Sequence, residues 1–157
     1  MPLERSPREL FPHAGLRGTK VLLRPFEDAD ITAQYLAWLR DPQVVRFSNQ
    51  RFRRHDAATA RVYLASFAGT DNLFLSIRRL ADDGAIGTMT AYVARAHETA
   101  DIGILIGDPA VWGQGLGQDA WNTLLDWLLQ EAKLRKLSAG AVAANRGMVS
   151  VMARSGM

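Results

Sequence analysis

Residues 100–126 read ADIGILIGDPAVWGQGLGQDAWNTLLD, and three kinds of local pattern follow one another there without a gap. Ile102, Ile104 and Ile106 alternate as the buried side of a strand does. Asp108-Pro109 breaks the alternation, and Trp112-Gly113-Gln114-Gly115-Leu116-Gly117 follows. Ala120, Leu124, Leu128 and Ala132 then recur at helical spacing, widened into a broad apolar face by Trp121, Leu125 and Trp127. The order is strand, glycine-rich turn, helix. Glycines let backbone N–H groups converge with no side chain in the way, and a helix start carries partial positive charge, so the turn is built to cradle an anion such as a phosphate.

Spacing separates the phosphate-binding turns that a glycine cluster could represent. A P-loop requires Lys followed by Ser or Thr after its last glycine, and this chain has Gln118-Asp119. The dinucleotide fingerprint requires G-x-G-x-x-G inside a parallel βαβ unit near the chain start, whereas Gly113, Gly115 and Gly117 come late, after hairpin signals. A glycine-rich turn that joins a strand to a helix and holds nothing is the remaining reading.

Working outward, 157 residues suit a single domain with its own core. No apolar run approaches the roughly 20 residues of a membrane span, and residues 1–18 lack the apolar core of a signal peptide. A cytoplasmic protein with no membrane partner is expected. The chain has no Cys, which removes disulfides, thiolate metal sites and a Cys nucleophile, and His13, His55 and His97 are scattered, so no metal site is expected. Nineteen basic residues against sixteen acidic ones suit an anionic ligand but give no massed basic element of the kind nucleic acid requires.

In chain order, residues 1–18 show no periodicity and read as an N-terminal arm, with residues 19–157 as the domain. Residues 19–24 (TKVLLR) form a first strand stopped by Pro25. Asp28 and Asp30 offer capping chemistry to a helix over residues 31–40, which Asp41-Pro42 ends. Asp56 caps another helix reaching about Phe67, and the most basic loop of the chain, with Arg46, Arg51, Arg53, Arg54 and His55, lies between the two. Residues 72–78 and 85–93 form a hairpin about Asp82-Asp83-Gly84. Beyond the long helix, residues 136–142 read as a further strand, and Asn145 precedes a short last helix ending near Gly156.

This order, with its motifs, resembles the GNAT acetyltransferase superfamily. The glycine turn is similar to that family's coenzyme A signature, Gln/Arg-x-x-Gly-x-Gly/Ala, with Trp112 in the Gln/Arg position. The Leu23-Arg24-Pro25 opening, Ile86-Gly87, and Asn145 with Gly156-Met157 are similar to other elements of its ribosomal-protein and small-molecule N-acetyltransferase branch. The resemblance implies an α/β (α+β) fold with a central mixed, mostly antiparallel sheet flanked by helices. It implies acetyl-coenzyme A as cofactor, and direct attack by an amine in a ternary complex. The pantetheine arm would lie on the backbone of Leu105, Ile106 and Gly107, and the diphosphate on the amides of Gly113, Gln114, Gly115, Leu116, Gly117 and Gln118. Asn145 would stand beside the cofactor or simply cap the last helix.

Acetyl transfer needs a neutral amine. An alkylamine with a pKa near ~10.4 is neutral in only about one molecule in 2,500 at pH 7, a deficit of roughly 4–5 kcal/mol, so a group must take the proton. Asp101, on the cofactor strand where the branch often has Glu, is the first candidate for general base, with Glu98 and His97 behind it. An amide near Leu105 and Ile106 would steady the oxyanion. Two departures from the family stand out. Met152 occupies the position of a proton-donating Tyr, for which water or Ser150 would substitute. The strand pair that closes the family's sheet is also missing after Met157, which implies a fragment or an open edge that favours a homodimer. For the acceptor, Arg46, Arg51 and Arg53 point to an anionic amine such as an amino-sugar nucleotide rather than a polyamine. A non-catalytic coenzyme A-binding module is the alternative to an enzyme, and nucleic-acid binding through the N-terminal arginines is a poorer third.

Overall fold

The alternation at residues 102–106 forms a strand inside one six-stranded sheet. A computed structural model, which describes residues 3–157, contains α1 (Pro7–Leu10), β1 (Leu16–Arg17), β2 (Val21–Pro25), α2 (Ala33–Arg40), α3 (Ala57–Ala65), β3 (Leu73–Arg79), β4 (Ala85–Ala94), β5 (Thr99–Ile106), α4 (Leu116–Gln130), β6 (Lys136–Ser138) and α5 (Arg146–Arg154). The strands lie in sequence order from β1 to β6. Neighbours from β1 to β5 are antiparallel, and β5 with β6 is parallel. A parallel pair needs a crossover, and α4 supplies it. The mixed, mostly antiparallel α/β sheet expected from the element order is therefore present.

Each face of the sheet buries a separate apolar cluster. On one face Val21, Leu23, Leu75, Ile77, Met89 and Ile102 pack against Ala120, Trp121, Leu124 and Leu128 of α4. Trp121, Leu124 and Leu128 are fully buried, and each contributes about 2–3 kcal/mol by the area it removes from water. The other face carries α2 and α3 on an aromatic cluster that includes Phe26, Tyr35, Trp38, Phe67 and Phe74, with Phe26 and Phe74 stacked at 4.3 Å.

Several local expectations are corrected. The N-terminal stretch is partly built into the fold: Leu16 pairs with Leu23, and Phe11 and Leu16 join the main cluster. Elements of two and four residues are too short to show a period. Asp28–Asp30 form a 3-10 turn, and the residue that caps α2 is Thr32, whose hydroxyl accepts from Tyr35 N at 3.1 Å. Asp30 is turned inward instead, accepting from Arg24 Nη2 at 2.7 Å and Nη1 at 2.9 Å. A guanidinium drawn into the sheet requires a paired carboxylate. The strand expected over residues 136–142 is only three residues long, because β6 pairs with β5 no further than Ser138 opposite Asp101. Among the described residues the outer side of β6 meets no further strand.

Candidate active site

Gly113 and Gly115 sit at φ +77° and +79°, where a Cβ is strained, and Gly115 is the N-cap of α4. Gly117 is not constrained in this way: a Cβ there would meet Ile106 Cγ1 at 3.4 Å, an ordinary contact. The Trp112 indole donates to Ile106 O at 3.1 Å and pins the turn to β5. Among the described residues the N–H groups of Gly113, Gln114, Gly115, Leu116, Gly117 and Gln118 find no acceptor within the chain, and the first satisfied amide is Asp119, bonded to Gly115 O at 3.0 Å. Six successive unsatisfied donors at a helix start are the donor set that an anion can satisfy.

Two residues that sequence reasoning missed hold this turn. Asp119, on the first turn of α4, accepts from Thr19 N (3.1 Å) and Thr19 Oγ1 (3.0 Å) at one oxygen, and from Lys20 N (2.8 Å) and Val21 N (3.1 Å) at the other. Partial burial pushes this carboxyl upward, but the backbone donors of Lys20, Thr19 and Val21 and the Thr19 hydroxyl prevail and hold it below the usual carboxylate range. Lys20 then reaches back, its ammonium donating to Gln114 O at 2.9 Å. A cation thus lies against the turn from a residue 94 positions earlier, just ahead of β2. No local spacing signals either contact.

β5 stays paired with β4 as far as Ile106 opposite Gly87, whereas β6 leaves it after Asp101. The far half of β5 therefore presents one open backbone edge beside the glycine turn. Consecutive residues of a strand aim their backbone groups at opposite edges. Gly107 N donates to Ile86 O at 2.8 Å, and with unbroken register between the strands this fixes Leu105 and Gly107 toward β4, and Ile104 and Ile106 toward the open edge. The three consecutive residues expected to line the pantetheine arm cannot all do so through the backbone. Ile106 faces the opening, Ile104 joins it, and Leu105 and Gly107 face away. Only the register reveals this parity. Gly107 has another use: a Cβ there would fall inside the Trp38 ring of α2.

Asn145 caps α5, its side-chain oxygen accepting from Met148 N at 3.2 Å. Gln118 ties the same helix to α4 by donating to Val151 O at 3.2 Å, while its Oε1 is buried with no partner. Met152 packs half-buried against the main cluster, a thioether with no proton to give. Ser150 belongs to the same short helix.

Asp101 stands where β5 and β6 part, about 16 Å along the strand from Ile106 at ~3.3 Å per residue. It is exposed, accepts from Ser138 Oγ at 3.0 Å, and lies opposite Tyr92 of β4. The Tyr92 hydroxyl is 3.0 Å from that of Tyr63 on α3. Burial, then the Tyr92 hydroxyl, push the Tyr63 phenol well above its ordinary range, and burial pushes Tyr35 up to about 12. His97 and Glu98 lie in the turn before β5, beyond the paired segment, where their carbonyls accept from Arg135.

The basic loop is distributed unevenly. Arg51, Arg53, Arg54 and His55 line a cleft of about 480 Å³ beside α2, and Arg53, Arg54 and His55 also line a second of about 200 Å³ that reaches Tyr35 and Tyr63. Arg46 lines neither, and its guanidinium lies 5.0 Å from the Phe47 ring centre. Among the described residues no cluster of His, Asp or Glu could hold a metal ion, and no helix is long and apolar enough to cross a membrane.

The family model described as acetyltransferase (GNAT) domain matches residues 20–157. The chain belongs to the GNAT acetyltransferase family. Solved acetyltransferases share the fold. A GNAT-family acetyltransferase from Bacillus anthracis superposes with a TM-score of 0.78 at 19% identity, covering 90% of this chain and 82% of its own. An acetyltransferase from Agrobacterium tumefaciens gives 0.73 at 23% identity, covering 93% and 84%. The spermidine N-acetyltransferase of Vibrio cholerae, solved with CoA and spermine, gives 0.74 at 16% identity, covering 87% and 79%. The open edge of β5 and the glycine turn before α4 are adjacent in the chain and joined by the Trp112–Ile106 hydrogen bond.

Proposed function

We propose that the chain is an acetyl-coenzyme A-dependent N-acetyltransferase that acts on a primary amine of a small molecule or a protein N-terminus, both substrates bound together. The observation that carries this reading is the run of six amides from Gly113 to Gln118 with no acceptor of their own, placed at the end of a strand whose edge has come open. An acetyltransferase of the same fold holds coenzyme A, and a diphosphate suits this donor set in charge and in hydrogen-bond count. Bound there, the cofactor would supply an activated acetyl group as a thioester.

The chain's own residues divide the remaining work. The amides of residues 113–118 grip the diphosphate, and Lys20 adds a positive charge beside them. Ile104 and Ile106 offer outward backbone groups to the pantetheine amides. Asp101 takes the proton of the acceptor amine on one carboxylate oxygen while Ser138 donates to the other, and its exposure lets the proton pass to water. Asn145 acts through the helix it caps. Within the family, the Trp112-Gly-x-Gly-x-Gly turn and the Leu23-Arg24-Pro25 opening favour the ribosomal-protein and small-molecule branch, and the open side of β6 favours a homodimer.

The test pairs calorimetric titration with coenzyme A and mass spectrometry of a panel of amines incubated with acetyl-coenzyme A. Saturable binding with an acetylated product supports the enzyme. Binding without any product makes the chain a coenzyme A-binding module, and no binding removes the proposal.

A further inference from the structure

The charges around the cleft beside α2 are arranged asymmetrically. Five side chains there are cationic or can become so, Arg40, Arg51, Arg53, Arg54 and His55, and the carboxylate among the lining residues, Asp56, is already 3.1 Å from Arg54 Nε. Arg40 is held by His55 O at 2.7 Å. Arg51 donates to Arg46 O at 2.9 Å and lies 4.3 Å from the Phe52 ring centre. Among the described residues Arg53 is the arginine of this cleft whose side chain makes no hydrogen bond or ion pair, and it lines both cavities. Its planar fork of donors is therefore available to an oxyanion from outside.

The smaller cavity leads from Arg53 toward the sheet. Tyr63 lines it, and the Arg53 charge opposes the upward shift of that phenol, which places the guanidinium within electrostatic reach of the hydroxyl. Tyr63 meets Tyr92, and Tyr92 faces Asp101 across the β4–β5 ladder. The cavity itself ends at Tyr35 and Tyr63, and a chain of side-chain neighbours, Tyr63 to Tyr92 to Asp101, links its cationic lining to a carboxylate. One end suits an anion and the other an ammonium.

We propose that the acceptor is a zwitterion, an amine bearing a carboxylate or phosphate, whose oxyanion is held by Arg53 in the cleft beside α2 while its amine lies toward Asp101. This rests on the acetyltransferase reading above and specifies its substrate class. A polyamine would bring a second ammonium against Arg53, where like charges repel. An uncharged amine would leave the guanidinium solvated and gain nothing from it.

The experiment compares matched acceptors: glucosamine with glucosamine 6-phosphate, an ω-amino acid with its amide, and spermidine. Each is assayed for turnover with acetyl-coenzyme A and titrated calorimetrically into the protein saturated with coenzyme A. The expected result is a preference of at least about tenfold in kcat/KM for the anionic member of a pair, carried by KM. The pair with the larger preference identifies phosphate or carboxylate. Arg53→Ala removes the preference and Arg53→Lys restores part of it, a split that a structural role would not produce at a guanidinium with no hydrogen bond or ion pair. The inference is overturned if spermidine or the uncharged parents are used as well as the anions, or if Arg53→Ala leaves the ratio unchanged. Should no amine turn over, the acetyltransferase reading fails instead, and the titrations still decide this one: equal affinity for glucosamine and its phosphate overturns it.

Discussion

Asp119→Asn tests whether the glycine turn is held from a distance. In the native protein each Asp119 oxygen accepts two hydrogen bonds, from Thr19 at one and from Lys20 and Val21 at the other. An amide keeps one oxygen and turns an NH₂ against two donors, so two bonds are lost and the other two lose their charge assistance. At about 1 kcal/mol per bond, and with most of them open to solvent, the change costs roughly 2 kcal/mol. For a chain of this size that lowers Tm by about 4–8 °C. The sign with pH follows from the depressed carboxyl: its stabilisation is fully present above the unfolded pKa near ~3.9 and is lost as pH falls through the lower folded value. Thermal melts between about pH 7 and 3 should therefore show wild type and variant converging at the acid end. The variant should also bind coenzyme A about tenfold more weakly, because the start of α4 is no longer tied to β2. A Tm within about 1 °C of wild type, or a gap that does not narrow in acid, would refute the reasoning.

Three further outcomes follow from individual contacts. Gly115→Ala forces a Cβ into φ +79° with Lys20 Nζ 3.2 Å away, so it should cost about 1–2 kcal/mol and raise the KM for acetyl-coenzyme A about tenfold, read by melting and initial rates. Gly107→Ala drives a methyl into Trp38; a loss of about 1–3 kcal/mol is expected, with weaker acceptor binding because α2 shifts, while calorimetry finds coenzyme A affinity unaltered. Asp101→Asn should lower kcat by about a hundredfold without changing coenzyme A affinity. An undiminished kcat would move the proton transfer to another group.

The amino-acid sequence by itself determined the parts of this protein that depend on neighbours a few residues away. The strand at residues 100–106, the glycine turn, the apolar face of α4 and the hairpin at Asp82-Asp83-Gly84 were all legible, because pleat, helix and turn geometry repeat at fixed short spacings. So were the caps at Asp56 and Asn145, each bonding an amide three residues on. The order of these pieces carried the family. What tertiary structure alone decided is long-range: Asp119 and Lys20 meet the other side of the turn across almost a hundred residues, Asp30 pairs with Arg24 and caps the 3-10 turn at Glu27 N rather than α2, and β6 leaves β5 after Asp101. The parity that turns Ile104 and Ile106, rather than Leu105 and Gly107, to the open edge belongs to this second class. A one-residue change of register would reverse it without altering a letter of the sequence, and register is set by the partner strand.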